Sequence, residues 1–421
     1  MEKRVIKSLI TEKQNEISSI ELIKRPLKLE ESCNHIFAGL RRAGKSYYLY
    51  QHIQSLLKSG QVSIEEILFI NFEDERISPM KSQDLNLFLE CYREMYNSTP
   101  IIYLDEIQNI EGWEKFVRRL ADSKYRVFVT GSNAKMLSKE MHTTLGGRFI
   151  IKEVFPFSFA EYLSYNDITL HKNWEYQQTK QQVIQLFTDY FYYGGFAETF
   201  PVKNKRDWLN SLYQKVLLGD IIARNGIRNE NAIKILVKKL ADNVMQPTSL
   251  ARLKNVIDLT ETGISRNTLV EYLQLLEDAW LVFSISNFSS KISEKETIKK
   301  RYFYDNGLLN NLIFEPETKL LENLVAITLK RNFGELYFYH RNIEVDFYIP
   351  EHKRAIQVSY SISDDRTRQR EIKALIKLSE VYQVDHMEIV TWDEESTLNE
   401  NGCKIQVLPI WKWLLQFQHI E

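Results

Sequence analysis

"GLRRAGKS", residues 39–46, decides how the first part of this chain is read. It satisfies G-x-x-x-x-G-K-[ST], a pattern whose glycines let the backbone wrap around phosphates with its N–H groups pointing inward. In that pattern Lys45 reaches the β- and γ-phosphates of a nucleotide, and the Ser46 hydroxyl ligates Mg2+. The predicted cradle is Gly39, Leu40, Arg41, Arg42, Ala43, Gly44, Lys45, Ser46 and Tyr47, with Arg41 and Arg42 as further phosphate contacts. The flanks agree with it. Apolar "HIFAG" (35–39) leads in as a strand, and amphipathic "KSYYLYQHIQSLLK" (45–58) follows as a helix.

Outward from the loop, further apolar runs alternate with helix-length segments: "EILFINFED" (66–74), "PIIYLDE" (100–106), "YRVFVTGS" (125–132) and "RFIIKEVF" (148–155). Continuous apolar strands separated by helices predict a parallel sheet covered on both faces, an α/β fold. Residues 1–33 read as a lead-in helix and turn, and the whole of 1–156 as one P-loop domain. "IIYLDEIQ" (101–108) ends its strand in two carboxylates. Asp105 suits a magnesium held through water, and Glu106 a general base for an attacking water. The plainer alternative is an acidic pair capping a helix. "VFVTGSNAKML" (127–137) ends in Thr130, Gly131, Ser132 and Asn133. Ser132 or Asn133 is placed to sense the γ-phosphate, and the pattern does not choose between them; either also suits a helix N-cap. "TLGGRF" (144–149) sets Arg148 behind two glycines, as a mobile arginine for the γ-phosphate of its own chain or a neighbour's, or as a surface arginine in a turn.

"FPFSF" (155–159) marks a break, after which an aromatic-rich helical module runs to about residue 240. Residues 241–304 predict a helix at 248–258, a turn near Gly263, a helix at 265–279 and a strand, the order of a helix-turn-helix with a β-wing. Ser265, Arg266 and Asn267 begin the recognition-like helix. The stretch Lys291–Arg301 carries five basic and two acidic residues and is read as a wing tip able to touch phosphates. Against DNA stand Glu271, Glu277 and Asp278 on the same helix; such modules also serve as lids or protein contacts. Residues 305–421 predict a helix at 317–332, strands near 335–340, 343–350 and 353–360, a helix at 366–381 and the strand "MEIVTW".

Taken in order, "GLRRAGKSYYL", "IIYLDEIQNIEGW", "VTGSNAKMLS", "GGRF…FPFSFAEYL" and "YYGGFAE" resemble a bacterial and archaeal family of AAA-like, STAND-related P-loop ATPases. The resemblance spans essentially the whole chain. It implies an ATPase core, a helical and winged-helix middle and a C-terminal domain similar to the PD-(D/E)xK nuclease fold. Gly39, Gly44, Lys45, Ser46, Asp105 and Glu106 carry over as the nucleotide site, and Ser132, Asn133 and Arg148 less directly. Active members of the nuclease fold hold Mg2+ with a helix Glu, an Asp on the second strand and a Glu-x-Lys on the third. Here Glu322 and Asp346 match, but the third strand reads Gln357-Val358-Ser359. Gln brings no negative charge and Ser no ammonium, although Glu344 shares a strand face with Asp346. The expectation is a degenerate nuclease-like domain kept for binding.

Bulk properties narrow the classes. The net charge of −1 supplies no overall field toward nucleic acid or membrane, so any such binding rests on local patches. Three scattered cysteines neither staple a secreted fold nor make a zinc site. The N-terminus lacks an apolar signal core, and no run of about 18 apolar residues occurs. The expectation is a cytoplasmic protein using ATP and Mg2+ as a conformational switch or motor, with DNA or a protein as partner, no membrane, and the oligomeric state left open. Two alternatives accompany it: a slow-cycling nucleotide-dependent regulator or defence component, and an ATP-dependent nuclease.

Overall fold

The apolar runs around the glycine-rich loop form β1 (Asn34–Gly39), β2 (Ile67–Asn71), β3 (Ile101–Asp105), β4 (Val127–Gly131) and β5 (Phe149–Val154). All pair in parallel, in the order β2-β3-β4-β1-β5. Every residue of β3 and β4 is buried, which is why these strands read as unbroken apolar runs. Helices Lys45–Lys58, Asn86–Met95 and Trp113–Asp122 make crossovers. Parallel pairing brings the C-terminal ends of β1, β3 and β4 to one edge, where ligands of open α/β sheets bind. The lead-in helix, Lys3–Ser19, buries Ile6, Leu9, Ile10 and Ile17 at helical spacing, and Gln14 donates to the Ile67 carbonyl of β2 at 2.9 Å.

This computed structural model describes residues 2–77, 79–137, 143–259, 263–288, 295 and 297–419, grouped into two compact units, Met1–Phe155 and Pro156–Glu421. The second unit begins with helices Phe159–Tyr165, Thr179–Tyr193, Lys205–Gln214 and Glu230–Asp242. Next come β6 (Thr248–Ser249), helices Leu250–Asp258 and Arg266–Asp278, β7 (Val282–Asn287) and β8 (Ile298–Phe303). Helix Glu317–Phe333 leads to β9 (Tyr337–His340), β10 (Glu344–Ile349) and β11 (Arg354–Val358). Helix Asp365–Ser379, β12 (His386–Thr391), β13 (Ser396–Glu400), β14 (Cys403–Pro409) and helix Ile410–Leu415 complete it.

These strands make one nine-stranded sheet, β13-β14-β12-β11-β10-β9-β7-β8-β6. The hairpin β7–β8 is antiparallel, and β7 continues into β9 in parallel through Ser286 and Asn287. The expected wing is therefore an integral part of the C-terminal sheet. Five residues of the expected basic tip, 291–294 and 296, lie outside the described residues. Lys300 and Arg301 do not form a tip: they are buried in β8, because the strand's last four residues are covered. Asp278 is also buried and takes a 2.9 Å bond from Gln274, so it does not repel a ligand at the surface.

Candidate functional site

The loop between β1 and helix Lys45–Lys58 takes left-handed backbone at Arg42 (φ 63°) and Gly44 (φ 94°), turning the chain back over the strand end. Gly39 answers to packing as well: a Cβ there would meet the Val154 carbonyl oxygen of β5 at 2.1 Å. Leu40 and Ala43 are buried, Tyr47 is exposed, and Arg41 pairs with Glu73 at 3.0 Å.

Four predicted groups meet at this edge. Lys45 Nζ, almost wholly buried, donates to the Leu40 carbonyl and pairs with Glu106 Oε1, each at 3.2 Å. Ser46 Oγ lies 2.9 Å from both oxygens of Asp105. Thr130, on the intervening β4, ties the acidic pair together: its hydroxyl donates to Asp105 Oδ1 at 2.6 Å and accepts the Glu106 N–H at 2.9 Å. Glu106 itself has left-handed backbone (φ 54°), an uncommon state for such a residue and one that the Thr130 bond helps to hold. Burial, added to by the neighbouring charge of Glu106, pushes the Asp105 carboxyl up to about 6. Burial also pushes Glu106 up, but Lys45, Gln108 and Arg41 outweigh it, and its carboxyl lies below the ordinary range. The hard oxygens of Ser46 and Asp105, side by side and short of positive charge, fit a magnesium ion.

The other predicted residues separate. Ser132 joins the cluster through Gln108, whose amide donates to Glu106 Oε2 at 2.5 Å and to Ser132 Oγ at 3.2 Å. Asn133 is turned into a local cap, its side-chain oxygen accepting the Lys135 N–H at 2.8 Å. Arg148 does not reach the loop of its own chain. It precedes β5, whose first residue Phe149 registers with Asn34, while Gly39 registers with Val154 five residues on. That is about 16 Å along the strand, at the opposite edge. There Arg148 pairs with Asp122 at 2.5 Å, and its carbonyl accepts from Asn34 at 3.3 Å.

Sequence reasoning missed Arg25, from the lead-in segment "IKRPL". Its buried guanidinium donates to the Ala43 carbonyl of the loop at 2.9 Å and to the Phe155 carbonyl at 3.1 Å. It also lies over the Tyr48 ring, 4.8 Å from the centroid, while Gln51 pairs with both backbone polar groups of Arg25. The signal was a lone arginine before proline, which no local pattern distinguishes.

In the second unit Glu322, Glu344 and Asp346 come together, whereas Ser359 lies beyond the end of β11 and donates to the Ser361 carbonyl. At the start of helix Arg266–Asp278, Ser265 Oγ caps the Thr268 N–H at 3.1 Å, and Arg266 and Asn267 are exposed.

A model described as an AAA domain matches residues 34–163, and a domain of unknown function matches residues 184–319. The uncharacterized protein MJ1544 of Methanocaldococcus jannaschii is 32% identical over 415 residues, covering 94% of this chain and 92% of the relative. An uncharacterized protein of Haemophilus influenzae is 29% identical over 381 residues, covering 84% and 92%. Among solved structures, the Aeropyrum pernix ORC1 protein in complex with DNA aligns with a TM-score of 0.34 and 13% identity, over 77% of this chain and 93% of that one. Among the described residues no helix is long and apolar enough to cross a membrane.

Proposed function

We propose that the chain, which belongs to the same family as MJ1544 and matches an AAA domain over residues 34–163, binds ATP with Mg2+ in its first unit and hydrolyses it to switch the conformation of the second. The observation that carries the reading is the meeting of Lys45, Ser46, Asp105 and Glu106 at one sheet edge. Ser46 and, through water, Asp105 would hold the ion, which supplies charge neutralisation on the phosphates. Lys45 exchanges its bond to Glu106 for the triphosphate. Glu106, ionised at neutral pH, then accepts the proton of the attacking water. Ser132 holds Gln108, and through it the orientation of Glu106. Partner contact is assigned to the second unit, with DNA approached by Arg266 and Asn267.

The slow-cycling alternative gains from two contacts on Glu106. Gln108 and Lys45 both occupy Glu106, so the general base is engaged before nucleotide arrives.

Phosphate release by the purified chain tests both readings. Glu106→Gln should abolish release while leaving binding of a fluorescent ATP analogue intact, and DNA should raise the wild-type rate. Hydrolysis that survives Glu106→Gln overturns the assignment of the base. A rate that ignores DNA removes the DNA-coupled switch and leaves the slow cycle.

A further inference from the structure

The nuclease-like resemblance implies a divalent metal among Glu322, Asp346 and the third strand, and the side chains present do not fit one. The centre of that cluster is filled from an unexpected place, strand β8 of the hairpin. Lys300, whose side chain has no exposed surface, puts Nζ 2.9 Å from Asp346 Oδ1, 3.2 Å from Glu344 Oε1 and 3.3 Å from Glu322 Oε1. Two of those contacts, to Asp346 and Glu322, are hydrogen bonds, and the third is an ion pair with Glu344. A hard cation recruiting the same oxygens would occupy the same space, at shorter range.

Several neighbouring ligand atoms are engaged as well. Tyr302, two residues along β8 and so on the same face, donates to Glu322 Oε1 at 2.7 Å. Asp346 Oδ2 accepts the Val358 N–H at 3.0 Å. Gln357, the residue left to offer a metal an oxygen, instead accepts the Asp346 N–H at 2.8 Å with that oxygen. Its amide nitrogen donates to Glu371 Oε2 at 2.6 Å and to the Glu344 carbonyl at 3.1 Å. Glu371 is met on its other oxygen by Arg370. The register that delivers Lys300 is fixed: Asn323, next to Glu322, pairs its amide with both backbone polar groups of Phe303 in β8. Among the described residues no group of three or more Asp, Glu, His or Cys is arranged to hold a metal ion.

We infer that Lys300 is a resident cation standing where the nuclease fold carries its metal, so that the C-terminal unit neutralises its acidic cluster from within and takes up no divalent ion there. The ammonium that the third strand lacks at Ser359 has been replaced from another strand, but at the ion's position. A single charge then serves a cluster whose cleft, about 560 Å³, is rimmed by Arg370, Lys373 and Lys377.

Mn2+ binding to the full, nucleotide-free chain, read by electron paramagnetic resonance, tests this. Wild type and Asp346→Asn should bind Mn2+ equally, because the cluster contributes nothing. Lys300→Met, which keeps the length and loses the charge, should gain one site at least tenfold tighter than any in wild type. That site should vanish in Lys300→Met/Asp346→Asn. Wild-type Mn2+ binding that falls on Asp346→Asn overturns the inference. So does a folded Lys300→Met protein that gains no site. Should Lys300→Met fold only when Mn2+ is added, the metal has replaced the ammonium and the inference stands. Should it not fold in either condition, the wild-type and Asp346→Asn comparison decides alone.

Discussion

Truncating Arg25 to alanine tests whether the phosphate loop is held from outside its own motif. The guanidinium supplies charge-assisted bonds to two buried carbonyls, Ala43 at 2.9 Å and Phe155 at 3.1 Å. Each is worth about 1.5–3 kcal/mol when the partner is left unpaired. The contact with the Tyr48 ring adds about 0.5–1 kcal/mol. Water admitted to the vacated space repairs part of this, so a net loss of about 3 kcal/mol is expected for the first unit. The loop should suffer separately, because Ala43 sits between the two left-handed residues that shape it. Freeing its carbonyl lets the cradle sample open forms and should weaken nucleotide binding about tenfold, some 1.4 kcal/mol. Arg25→Lys keeps the charge but not the planar fork that spans two acceptors, and should recover less than half of either loss. Urea unfolding followed by tryptophan fluorescence gives the first quantity, and titration with a fluorescent ATP analogue the second. A stability loss below about 0.5 kcal/mol would refute the burial argument. A full stability loss with unchanged nucleotide affinity would refute the loop argument and leave Arg25 as a staple of the fold alone.

Thr130→Val removes the hydroxyl that ties Asp105 to the Glu106 backbone at nearly constant shape. It should destabilise by about 1–3 kcal/mol and lower kcat more than it raises KM, as steady-state phosphate release would record. Gly39→Ala drives a methyl into the Val154 carbonyl, 2.1 Å from the new Cβ, and should prise β1 from β5. A melting temperature within a degree of wild type would contradict that packing. His52 is held neutral by burial, with Arg126 and His35 adding to the effect, and its imidazole falls to about 4. The unfolded chain takes up that proton near pH 6.5, so the stability from neutral His52 is complete above pH 6.5 and is lost as pH falls toward 4. The loss is at most about 3 kcal/mol. Urea midpoints measured across that window should flatten in His52→Gln.

What the sequence made legible is what lies close along the chain. Gly39–Ser46 and Asp105–Glu106 announce themselves because spacing within one turn or one strand end fixes their geometry. The α/β sheet was likewise visible in unbroken apolar runs. For Arg148, motif order says nothing about which sheet edge it occupies; the register of β5 on β1 sets it away from its own loop, so of the nucleotide readings only a neighbour's remains. Asn133 and Ser132 could not be ranked until the turn after β4 spent one on a cap and linked the other to Gln108. Lys300 reads as a solvated wing residue because a basic run in a linker normally is one. Its burial depends on β7 joining β9, a pairing across about fifty residues with no local trace.

Arg25 and Lys300 share a physical logic. Each unit buries an electron-rich cluster: carbonyls bent outward by a tight loop in one, carboxylates crowded onto a sheet face in the other. A buried cluster of one sign needs a cation, and in each unit part of that charge comes from outside the motif. Lys45 is divided between Glu106 and the Leu40 carbonyl, so the Ala43 carbonyl is held from the lead-in segment, where the guanidinium forks between two acceptors. The carboxylate cluster calls for a compact charge with donors in three directions, which an ammonium supplies and a guanidinium does not. The two roles are therefore not exchangeable. On the proposed reading they also differ in consequence. ATP draws Lys45 away from Glu106 and releases the base, while Arg25 keeps its grip on Ala43 throughout. In the second unit, on the inference above, Lys300 keeps its carboxylates throughout. One cluster is built to change partners during a cycle and the other to keep the one it has.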